Sequence, residues 1–272
     1  MIRYSPAKIN LGLLITAKRS DGFHELQSLM VPTGLNDILE IRENPGGAAL
    51  SFTSSGISSG APTGSNLVEK AHAMVAAKRL LPPLEIHLHK QIPVGAGLGG
   101  GSSNATHVLM GLNEMVTDSL SAEELHEMAA TLGSDCPFFL HQGPMMMEGR
   151  GEILSASSVD LSPFHLVMLF PEIHISTAEA YGGVKPKAAP VHLSELLERG
   201  PGKWKENIIN DFEEGLFQSH PLLDEIKQRL YDEGAFYAAM SGSGSSMFGL
   251  FREKVELSDN LKKHLIWKGP AA

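Results

Sequence analysis

The feature that most constrains this chain is a glycine-rich segment at residues 93–105, which reads PVGAGLGGGSSNA. Residues 84–89 before it alternate apolar and polar side chains as a strand does, and a helical pattern follows it through Asn113. A glycine-rich loop that runs into a helix directs backbone N–H groups and the helix dipole at an anion. The segment therefore predicts a phosphate-binding loop suited to a triphosphate, in preference to a merely flexible loop.

Two familiar nucleotide-binding patterns do not account for this segment. Gly95, Gly97 and Gly100 have the spacing of the dinucleotide fingerprint, but the acidic residue expected about 20 positions later would be Glu114, which ends a predicted helix. The Walker A pattern also fails, because no lysine lies between the glycines and Ser102. Any lysine that contacts the phosphates must therefore come from elsewhere in the chain.

Composition excludes several classes of partner. The formal net charge of −9 repels nucleic acid and anionic membranes, so neither is expected, and an anionic ligand must be held by local groups. The apolar runs fall far short of the roughly 20 residues of a membrane span, and the N-terminus lacks a signal peptide's hydrophobic region. We therefore expect a cytoplasmic protein. The single cysteine, Cys136, predicts neither an intramolecular disulfide nor a cysteine zinc site.

Length and local patterns predict an α+β protein of two domains. A chain of 272 residues corresponds to about two domains. A serine-rich stretch at residues 155–162 indicates the boundary, which gives domains at residues 1–155 and 156–272. Strand and helix patterns mix in both halves. In the first strand, Lys8 and Asn10 share one face because side chains alternate with period two.

Three motifs, in this order along the chain, resemble those of one kinase superfamily. They are SPAKINL at residues 5–11, the glycine-rich segment at residues 93–105, and MSGSGSS at residues 240–246. The superfamily is that of galactokinase, homoserine kinase, mevalonate kinase and phosphomevalonate kinase, the GHMP kinases. The resemblance implies an N-terminal domain like domain 2 of ribosomal protein S5, a ferredoxin-like C-terminal domain, and an active site in the cleft between them.

Further motifs resemble one branch of that superfamily. RSDGFHELQ at residues 19–27 and LGSDCPFF at residues 132–139 are similar to the kinases of a cytidine-diphosphate-linked sugar alcohol in non-mevalonate isoprenoid biosynthesis. The resemblance implies that MgATP is used to phosphorylate the 2-hydroxyl of a small molecule, 4-diphosphocytidyl-2-C-methyl-D-erythritol.

The resemblance also implies the catalytic residues. Asp135 would accept the proton of the attacking hydroxyl, and Lys8 would stabilise the developing negative charge. One carboxylate and one ammonium are chemically sufficient, because phosphoryl transfer depends mainly on positioning and electrostatics. Without the flanking motifs, Lys8 would be interpreted as a solvated strand residue and Asp135 as a turn residue. The residues implied to hold the nucleotide are Lys90, Pro93, Gly95, Gly97, Leu98, Gly99, Gly100, Gly101, Ser102 and Ser103.

Recognition of the acceptor would fall to a separate set of residues. By the same resemblance Phe23 stacks on the cytosine ring and His24 bonds its edge, as an aromatic face and a donor–acceptor side chain can do. Tyr181 would cover the other face of the base. The set is completed by Thr177, Asn10, Gly242 and Ser243. At Ser176 the family more often has a proline, and residues 176–179 equally match a helix capping box.

Several alternatives remain open at this stage. A sister kinase would act on homoserine or mevalonate, although Phe23 and His24 argue against it. A non-catalytic nucleotide-binding regulator would not need both Lys8 and Asp135. A nicotinamide-dependent oxidoreductase rests only on the glycine spacing. His87 and His89 have no third ligand placed nearby, so no metal site is predicted, and we expect a monomer or a weak homodimer.

Overall fold

The computed structural model describes residues 1–58, 60, 62 and 64–271, and it shows a mixed α/β protein with two compact units. Unit 1 consists of Met1–Ala7, Leu35–Val94 and Gly99–Gln142; unit 2 consists of Lys8–Gly34, Gly95–Leu98 and Gly143–Ala272. The strands are β1 Ile2–Lys18, β2 His24–Glu43, β3 Leu50–Gly56, β4 Leu84–Lys90, β5 Met145–Gly149, β6 Ile153–Ala156, β7 His165–Leu169, β8 Tyr237–Met240, β9 Met247–Phe251 and β10 Leu265–Pro270. The α-helices are α1 Leu67–Lys78, α2 Gly100–Met115, α3 Ala122–Leu132, α4 Thr177–Gly182, α5 Leu193–Glu198, α6 Trp204–Asn207, α7 Phe212–Ser219, α8 Pro221–Asp232 and α9 Asp259–Lys262.

Unit 1 packs helices against one face of a small sheet. Strand β4 pairs antiparallel with the second half of β2 and parallel with β3. Helices α1, α2 and α3 cover this sheet through a buried apolar cluster. The cluster includes Leu39, Ile41, Val68, Val75, Leu84, Ile86, Val108, Leu109, Leu112 and Met128. Burying such side chains contributes about 1.5–3 kcal/mol each, so this cluster fixes the position of α2, which follows the glycine-rich segment.

Unit 2 contains the first half of β2 and a separate antiparallel sheet. The first half of β2 pairs with β5, and β5 pairs with β6. The second sheet has the strand order β10-β7-β9-β8. Backbone bonds from β1 reach residues far along the chain: Leu13 N–H donates to the Ile209 carbonyl at 2.9 Å, and Lys187 N–H donates to the Ile15 carbonyl at 3.0 Å. The residues around Asn210 are thereby tied to β1.

Most of the predicted elements are confirmed. The spacing of Asn66 with Glu69 and of Ser121 with Glu124 predicts a helix capping box at each place, and both reciprocal boxes form, at the starts of α1 and α3. The α+β class is confirmed, and Cys136 is fully buried as a small core residue. The boundary at residue 155 stays a prediction. Among the residues that the structure describes, we find no helix with the length and apolar character to cross a membrane.

The structure also differs from the sequence prediction in several elements. The sequence predicts two separate strand segments, at residues 26–32 and 37–42, whereas β2 is continuous from His24 to Glu43. Its pairing with β5 ends at Met30 and its pairing with β4 begins at Ile38, so the missing N–H of Pro32 removes no bond to either strand. The last helix, expected near residues 254–264, is limited to α9. Strands β5, β6 and β10 were not predicted.

Candidate functional site

The glycine-rich segment adopts the backbone conformation that an anion-binding loop requires. Gly95, Gly97 and Gly99 have φ values of 68°, 76° and 69°, in the left-handed region that glycine occupies without strain. The carbonyl of Ala96 accepts from Ser246 N–H at 3.1 Å, and that of Leu98 accepts from Lys8 N–H at 2.9 Å. In a planar trans peptide the next N–H points the opposite way from the carbonyl. The N–H groups of Gly97 and Gly99 therefore point away from these partners.

The third sequence motif packs directly against this loop. Ser241 Oγ donates to the Gly97 carbonyl at 3.0 Å. A Cβ atom on Gly97 would lie 2.1 Å from the Ser241 carbonyl oxygen, so only glycine fits here. Gly242 has a φ of 57° and would place a Cβ 3.3 Å from Lys8 Nζ. The structure thus brings together parts of all three motifs around Lys8.

Lys8 and Asn10 share one buried face of β1, as the alternation predicted. Their exposed fractions are 4% and 2%. Lys8 Nζ donates to Asn10 Oδ1 at 2.6 Å and to the Gly97 carbonyl at 2.9 Å. The ammonium is therefore held beside the glycine-rich loop, and is not the solvated strand residue that its type alone suggested.

Helix α2 begins at the end of the glycine-rich segment. Its N-cap is Gly99, which supplies no side-chain cap. The first-turn N–H groups and the positive end of the helix dipole are directed at whatever lies before the helix. Ser102 is half-buried, whereas Ser103 is fully buried with its hydroxyl 3.5 Å from His107 Nδ1. Of the two serines, Ser102 is the one whose surface is partly accessible.

Lys90 lies beneath the start of α2 in a buried ion pair. Its ammonium is 2.5 Å from a carboxylate oxygen of Asp37, which is fully buried. Asp37 also accepts from the N–H groups of Gln91 and Ile92 at 2.6 and 2.8 Å, and from Asn104 Nδ2 at 2.9 Å. Burial lowers the pKa of Lys90, while the Asp37 charge opposes that shift. Asp37 therefore ties the residues before the loop to the helix after it.

Asp135 lies in the turn between α3 and the 3-10 helix at Pro137–Leu140. The side chain is half-buried. The turn is anchored to α2 because Thr106 Oγ1 donates to the Cys136 carbonyl at 2.9 Å. Burial raises the pKa of the Cys136 thiol, and the neighbouring Asp135 charge adds to that shift. Cys136 is therefore a structural thiol beside the predicted base, and Thr106 fixes the backbone that carries Asp135.

The residues predicted to recognise a base are partly assembled in unit 2. His24 and Tyr181 stack with ring centroids 4.7 Å apart and an interplanar angle of 24°. Tyr181 also packs edge-on against Phe212 at 4.9 Å. The Phe23 ring is 54% exposed, with the Arg150 guanidinium 4.8 Å from its centroid. His24 and Tyr181 are thus in contact, and Phe23 offers an accessible aromatic face.

Thr177 is exposed at the first position of α4. The sequence supports two interpretations of this place, a contact to the acceptor and the start of a helix. Ser176 is the N-cap, and its hydroxyl accepts from Glu179 N–H at 3.1 Å. Glu179 also bonds outside this turn, because its Oε1 lies 2.8 Å from His220 Nε2. This contact lowers the pKa of Glu179. The predicted helix start at Ser176 is therefore confirmed, and Thr177 stays a predicted contact to the acceptor.

Sequence reasoning did not single out the residues that support the third motif. Asn210 Nδ2 donates to the carbonyls of Met240 and Gly242, each at 2.8 Å. Glu213 Oε1 accepts from Met240 N–H at 2.8 Å, and burial raises the pKa of Glu213. For Asp37 a signal was available, because a carboxylate at a core-facing position of LNDILEI needs buried partners.

Comparison with known proteins places this geometry in a family. The description "GHMP kinases N terminal domain" matches residues 66–143, and "GHMP kinases C terminal" matches residues 193–266. A 4-diphosphocytidyl-2-C-methyl-D-erythritol kinase of Bacteroides thetaiotaomicron is 44% identical over 260 residues, which cover 95% of each chain. One of Parabacteroides distasonis is 40% identical over 271 residues, which cover 99% of each chain.

Solved structures agree with the sequence matches. A crystal structure of 4-(cytidine 5'-diphospho)-2C-methyl-D-erythritol kinase has a TM-score of 0.81 and 33% identity, and the match covers 97% of this chain and 93% of that one. A homoserine kinase from Cytophaga hutchinsonii has a TM-score of 0.68 at 17% identity, over 96% of this chain and 86% of its own. The second similarity is one of fold alone.

Proposed function

The chain belongs to the family of 4-diphosphocytidyl-2-C-methyl-D-erythritol kinases within the GHMP kinases, and we propose that Lys8 and Asp135 carry its phosphoryl transfer. The enzyme phosphorylates 4-diphosphocytidyl-2-C-methyl-D-erythritol in the non-mevalonate isoprenoid pathway, with ATP as the donor. The position phosphorylated is, in our proposal, the 2-hydroxyl.

The glycine-rich loop and the start of α2 are proposed to hold the ATP phosphates. The left-handed backbone at Gly95, Gly97 and Gly99 supports this assignment, as does the engagement of the loop carbonyls on the opposite side. Lys90 supports the loop from below through Asp37. The N–H groups of the loop would bind the β- and γ-phosphate oxygens, which carry the charge that this negatively charged protein must hold locally.

The residues present fit a magnesium ion that is bound together with the phosphates of ATP. Within the described residues, no group of three or more His, Cys, Asp or Glu side chains is placed to hold a metal ion. Mg²⁺ is commonly bound by one or two protein oxygens together with substrate phosphates and waters. The half-buried Ser102 hydroxyl at the start of α2 is the side-chain oxygen that we propose for it. The bound ion would neutralise charge on the phosphates.

The transfer step needs one base and one cation from the protein. In the proposed mechanism Asp135 accepts the proton of the 2-hydroxyl as its oxygen forms a bond to the γ-phosphorus. The bond from the γ-phosphorus to the bridging oxygen breaks, and ADP leaves with the bonding electrons. Lys8 stabilises the negative charge on the transferring group. Such stabilisation is effective because a fixed ammonium needs no reorganisation during reaction.

The cytidine group is proposed to bind at the aromatic residues of unit 2. Phe23 offers an exposed ring face for stacking, and His24 offers a ring nitrogen for the edge of the base. Because His24 and Tyr181 are stacked on each other, we propose that cytosine replaces His24 on the Tyr181 ring and that His24 then bonds its edge. Thr177, Asn10, Gly242 and Ser243 remain proposed contacts to the polar groups of the acceptor.

The observation that carries the residue assignment is the position of Lys8. Its ammonium is buried, bound to the loop at Gly97 and adjacent to Gly242, so residues from three separate motifs surround one charge. An unpaired strand lysine would be expected to extend into solvent, whereas this ammonium is held by Asn10 Oδ1 and by the loop carbonyl of Gly97. The homoserine kinase and mevalonate kinase alternatives are not favoured, because those structures are only 17% and 13% identical.

A single substitution tests the assigned base. We expect Asp135→Asn to lower kcat by about 10²–10⁴-fold, because the amide cannot accept a proton. The affinity for ATP should remain within about twofold of wild type, because the phosphate loop is unchanged. An ADP-release assay with the cytidyl acceptor and calorimetric titration with a non-hydrolysable ATP analogue measure the two quantities. Homoserine and mevalonate serve as comparison acceptors.

The matched control is Asp118→Asn, which removes a carboxylate that is 87% exposed and paired with Arg79. This variant should keep the wild-type kcat. If Asp135→Asn also kept it, Asp135 would be removed from the mechanism while the family assignment would stand.

A further inference from the structure

Lys8 is the first member of a buried chain of hydrogen bonds between β1 and β2. Lys8 Nζ donates to Asn10 Oδ1 at 2.6 Å, Asn10 Nδ2 donates to Ser28 Oγ at 2.8 Å, and Ser28 Oγ donates to the Gly12 carbonyl at 2.6 Å. The three side chains are 4%, 2% and 0% exposed in that order. Water therefore has little access to exchange these bonds for others.

The donors and acceptors in this chain of hydrogen bonds can be arranged in only one direction. An ammonium can only donate and a backbone carbonyl can only accept, so the two ends are defined by their chemistry. The Ser28 hydroxyl donates its proton to the Gly12 carbonyl, so the lone pairs of the Ser28 oxygen accept from the Asn10 amide. The amide group of Asn10 must then turn its NH₂ to Ser28 and its oxygen to Lys8. The orientation of Asn10 is thus determined from both sides.

The far end of the chain is held rigidly. Gly12 has a φ of 74°, in the left-handed region. A Cβ at this position would lie 2.7 Å from Ile208 Cγ2 and 2.9 Å from Leu193 Cδ1, so the backbone is packed closely against both side chains. The carbonyl that accepts from Ser28 is therefore fixed in place by the fold of unit 2.

We propose that Ser28 is a positioning residue for phosphoryl transfer, acting through Asn10 on the Lys8 ammonium. The inference rests on the proposed function, which assigns Lys8 its catalytic role. Without the Ser28 hydroxyl, the buried NH₂ of Asn10 loses its acceptor, and buried donors without acceptors are strongly disfavoured. The amide then rotates or shifts, and the Lys8 ammonium loses its bond to Asn10 Oδ1 while it keeps the bond to the Gly97 carbonyl.

The expected effect is on turnover, with little change in substrate binding. Misplacing a catalytic group by about 1 Å can lower the rate by about 10²-fold. Because the Gly97 carbonyl still holds Lys8, we expect Ser28→Ala to lower kcat about tenfold, with KM for ATP within about twofold of wild type. Ser28→Thr keeps the hydroxyl and should retain at least about half of the wild-type kcat.

A double-substitution cycle separates this role from a purely structural one. If Ser28 acts through Asn10, then Ser28→Ala combined with Asn10→Ala should lose no more kcat than Asn10→Ala alone. A structural contribution independent of Asn10 would multiply the two losses. Thermal unfolding of every variant shows whether it is folded at the assay temperature. If Ser28→Thr is destabilised because the added methyl group packs poorly, the double-substitution cycle decides the question.

The control variant is Thr16→Val. Thr16 Oγ1 donates to the Glu25 carbonyl at 3.3 Å, which is also a side-chain bond from β1 to β2, but Asn10 takes no part in it. Its kcat should stay within about twofold of wild type.

The possible outcomes distinguish this inference from the function on which it rests. Wild-type kcat in Ser28→Ala beside an inactive Lys8→Met, or multiplied losses in the double variant, would overturn the role of Ser28 alone. An active Lys8→Met would overturn the catalytic role of Lys8 and this inference with it. The proposal is supported if Ser28→Ala lowers kcat tenfold and if adding Ser28→Ala to Asn10→Ala causes no further loss of kcat.

Discussion

Gly97 occupies a position that no residue with a side chain can share. Its φ of 76° is left-handed, and a Cβ there would lie 2.1 Å from the Ser241 carbonyl oxygen. The nearest neighbour is backbone, which cannot rotate away as a flexible side chain can. The close approach of the loop to the third motif therefore depends on this one missing Cβ.

We expect Gly97→Ala to weaken both ATP binding and stability. The left-handed conformation alone costs about 1–2 kcal/mol for a residue with a side chain, and the collision with Ser241 adds to it. Because the loop must move to relieve the collision, KM for ATP should rise by about tenfold or more. Urea unfolding and steady-state kinetics measure the two effects.

Gly143→Ala provides the comparison. Gly143 has a φ of 87°, but nothing lies within 4 Å of its Cβ position, so only the conformational cost applies. Equal losses of stability and of ATP affinity in the two variants would show that the contact with Ser241 is unimportant.

At the scale of elements, helix α2 begins at the proposed phosphate site and bonds both Asp37 and the turn that carries Asp135. Ser102 lies in its first turn, Asn104 bonds Asp37, and Thr106 bonds the turn that carries Asp135. Its apolar face lies in the core of unit 1 through Val108, Leu109 and Leu112. A disturbance of this helix should therefore reach both the proposed phosphate-binding residues and the proposed base, Asp135.

His107 makes the stability of this helix sensitive to acid. Burial lowers the pKa of His107 below its ordinary value of 6.5, and the Arg3 charge adds to the shift. The unfolded chain then binds a proton more readily than the folded one. The contribution of His107 to the free energy of unfolding is present above pH 6.5, and it is lost as the pH falls through the pKa of His107 in the folded state. Burial lowers the pKa of His72 on α1 in the same way.

We expect the free energy of unfolding to decrease between about pH 7 and about pH 5, and His107→Gln to make that decrease smaller. Urea titrations at several pH values measure it. An unchanged slope in His107→Gln would exclude this histidine as a source of acid sensitivity.

At the scale of the whole molecule, the compact units are interleaved along the sequence. Unit 2 takes Lys8–Gly34 from the start of the chain and Gly143–Ala272 from its end. The bonds between these segments include Ile15 N–H to Asp211 Oδ2 at 2.6 Å and Leu193 N–H to Gln27 Oε1 at 3.1 Å. The C-terminal part therefore depends on strands that are synthesised first.

A fragment of residues 156–272 should consequently be poorly folded when expressed alone. It lacks the partners that β1 and β2 provide, and the half-buried carboxylate of Asp211 loses its backbone donor, Ile15 N–H. Circular dichroism and denaturant unfolding would show a broad, weak transition. Co-expression with residues 1–155 should restore a cooperative one, and a cooperative transition in the isolated fragment would contradict this dependence. Sedimentation of the full chain would test the predicted monomer or weak homodimer.

The sequence by itself determined the elements whose cause is local. Capping boxes at Asn66 and Ser121 and the helix after the glycine-rich segment depend on neighbours within a few residues, and the structure confirms each of them. The order of the three motifs was sufficient to indicate the family. Strand β10 could not be predicted in this way, because its pairing with β7 joins residues about a hundred positions apart.

Only the tertiary structure decided which polar groups meet. Lys8 and Lys90 both lie on strands of the structure, yet one is bound beside the loop by Asn10 and Gly97, and the other is buried under α2 against Asp37. The contact of His24 with Tyr181 likewise joins distant parts of unit 2. A local pattern states which face of a strand a residue occupies. Burial removes the water that would otherwise bond a charged group, so a buried charge needs a partner from the protein. Long-range packing decides which residue that partner is.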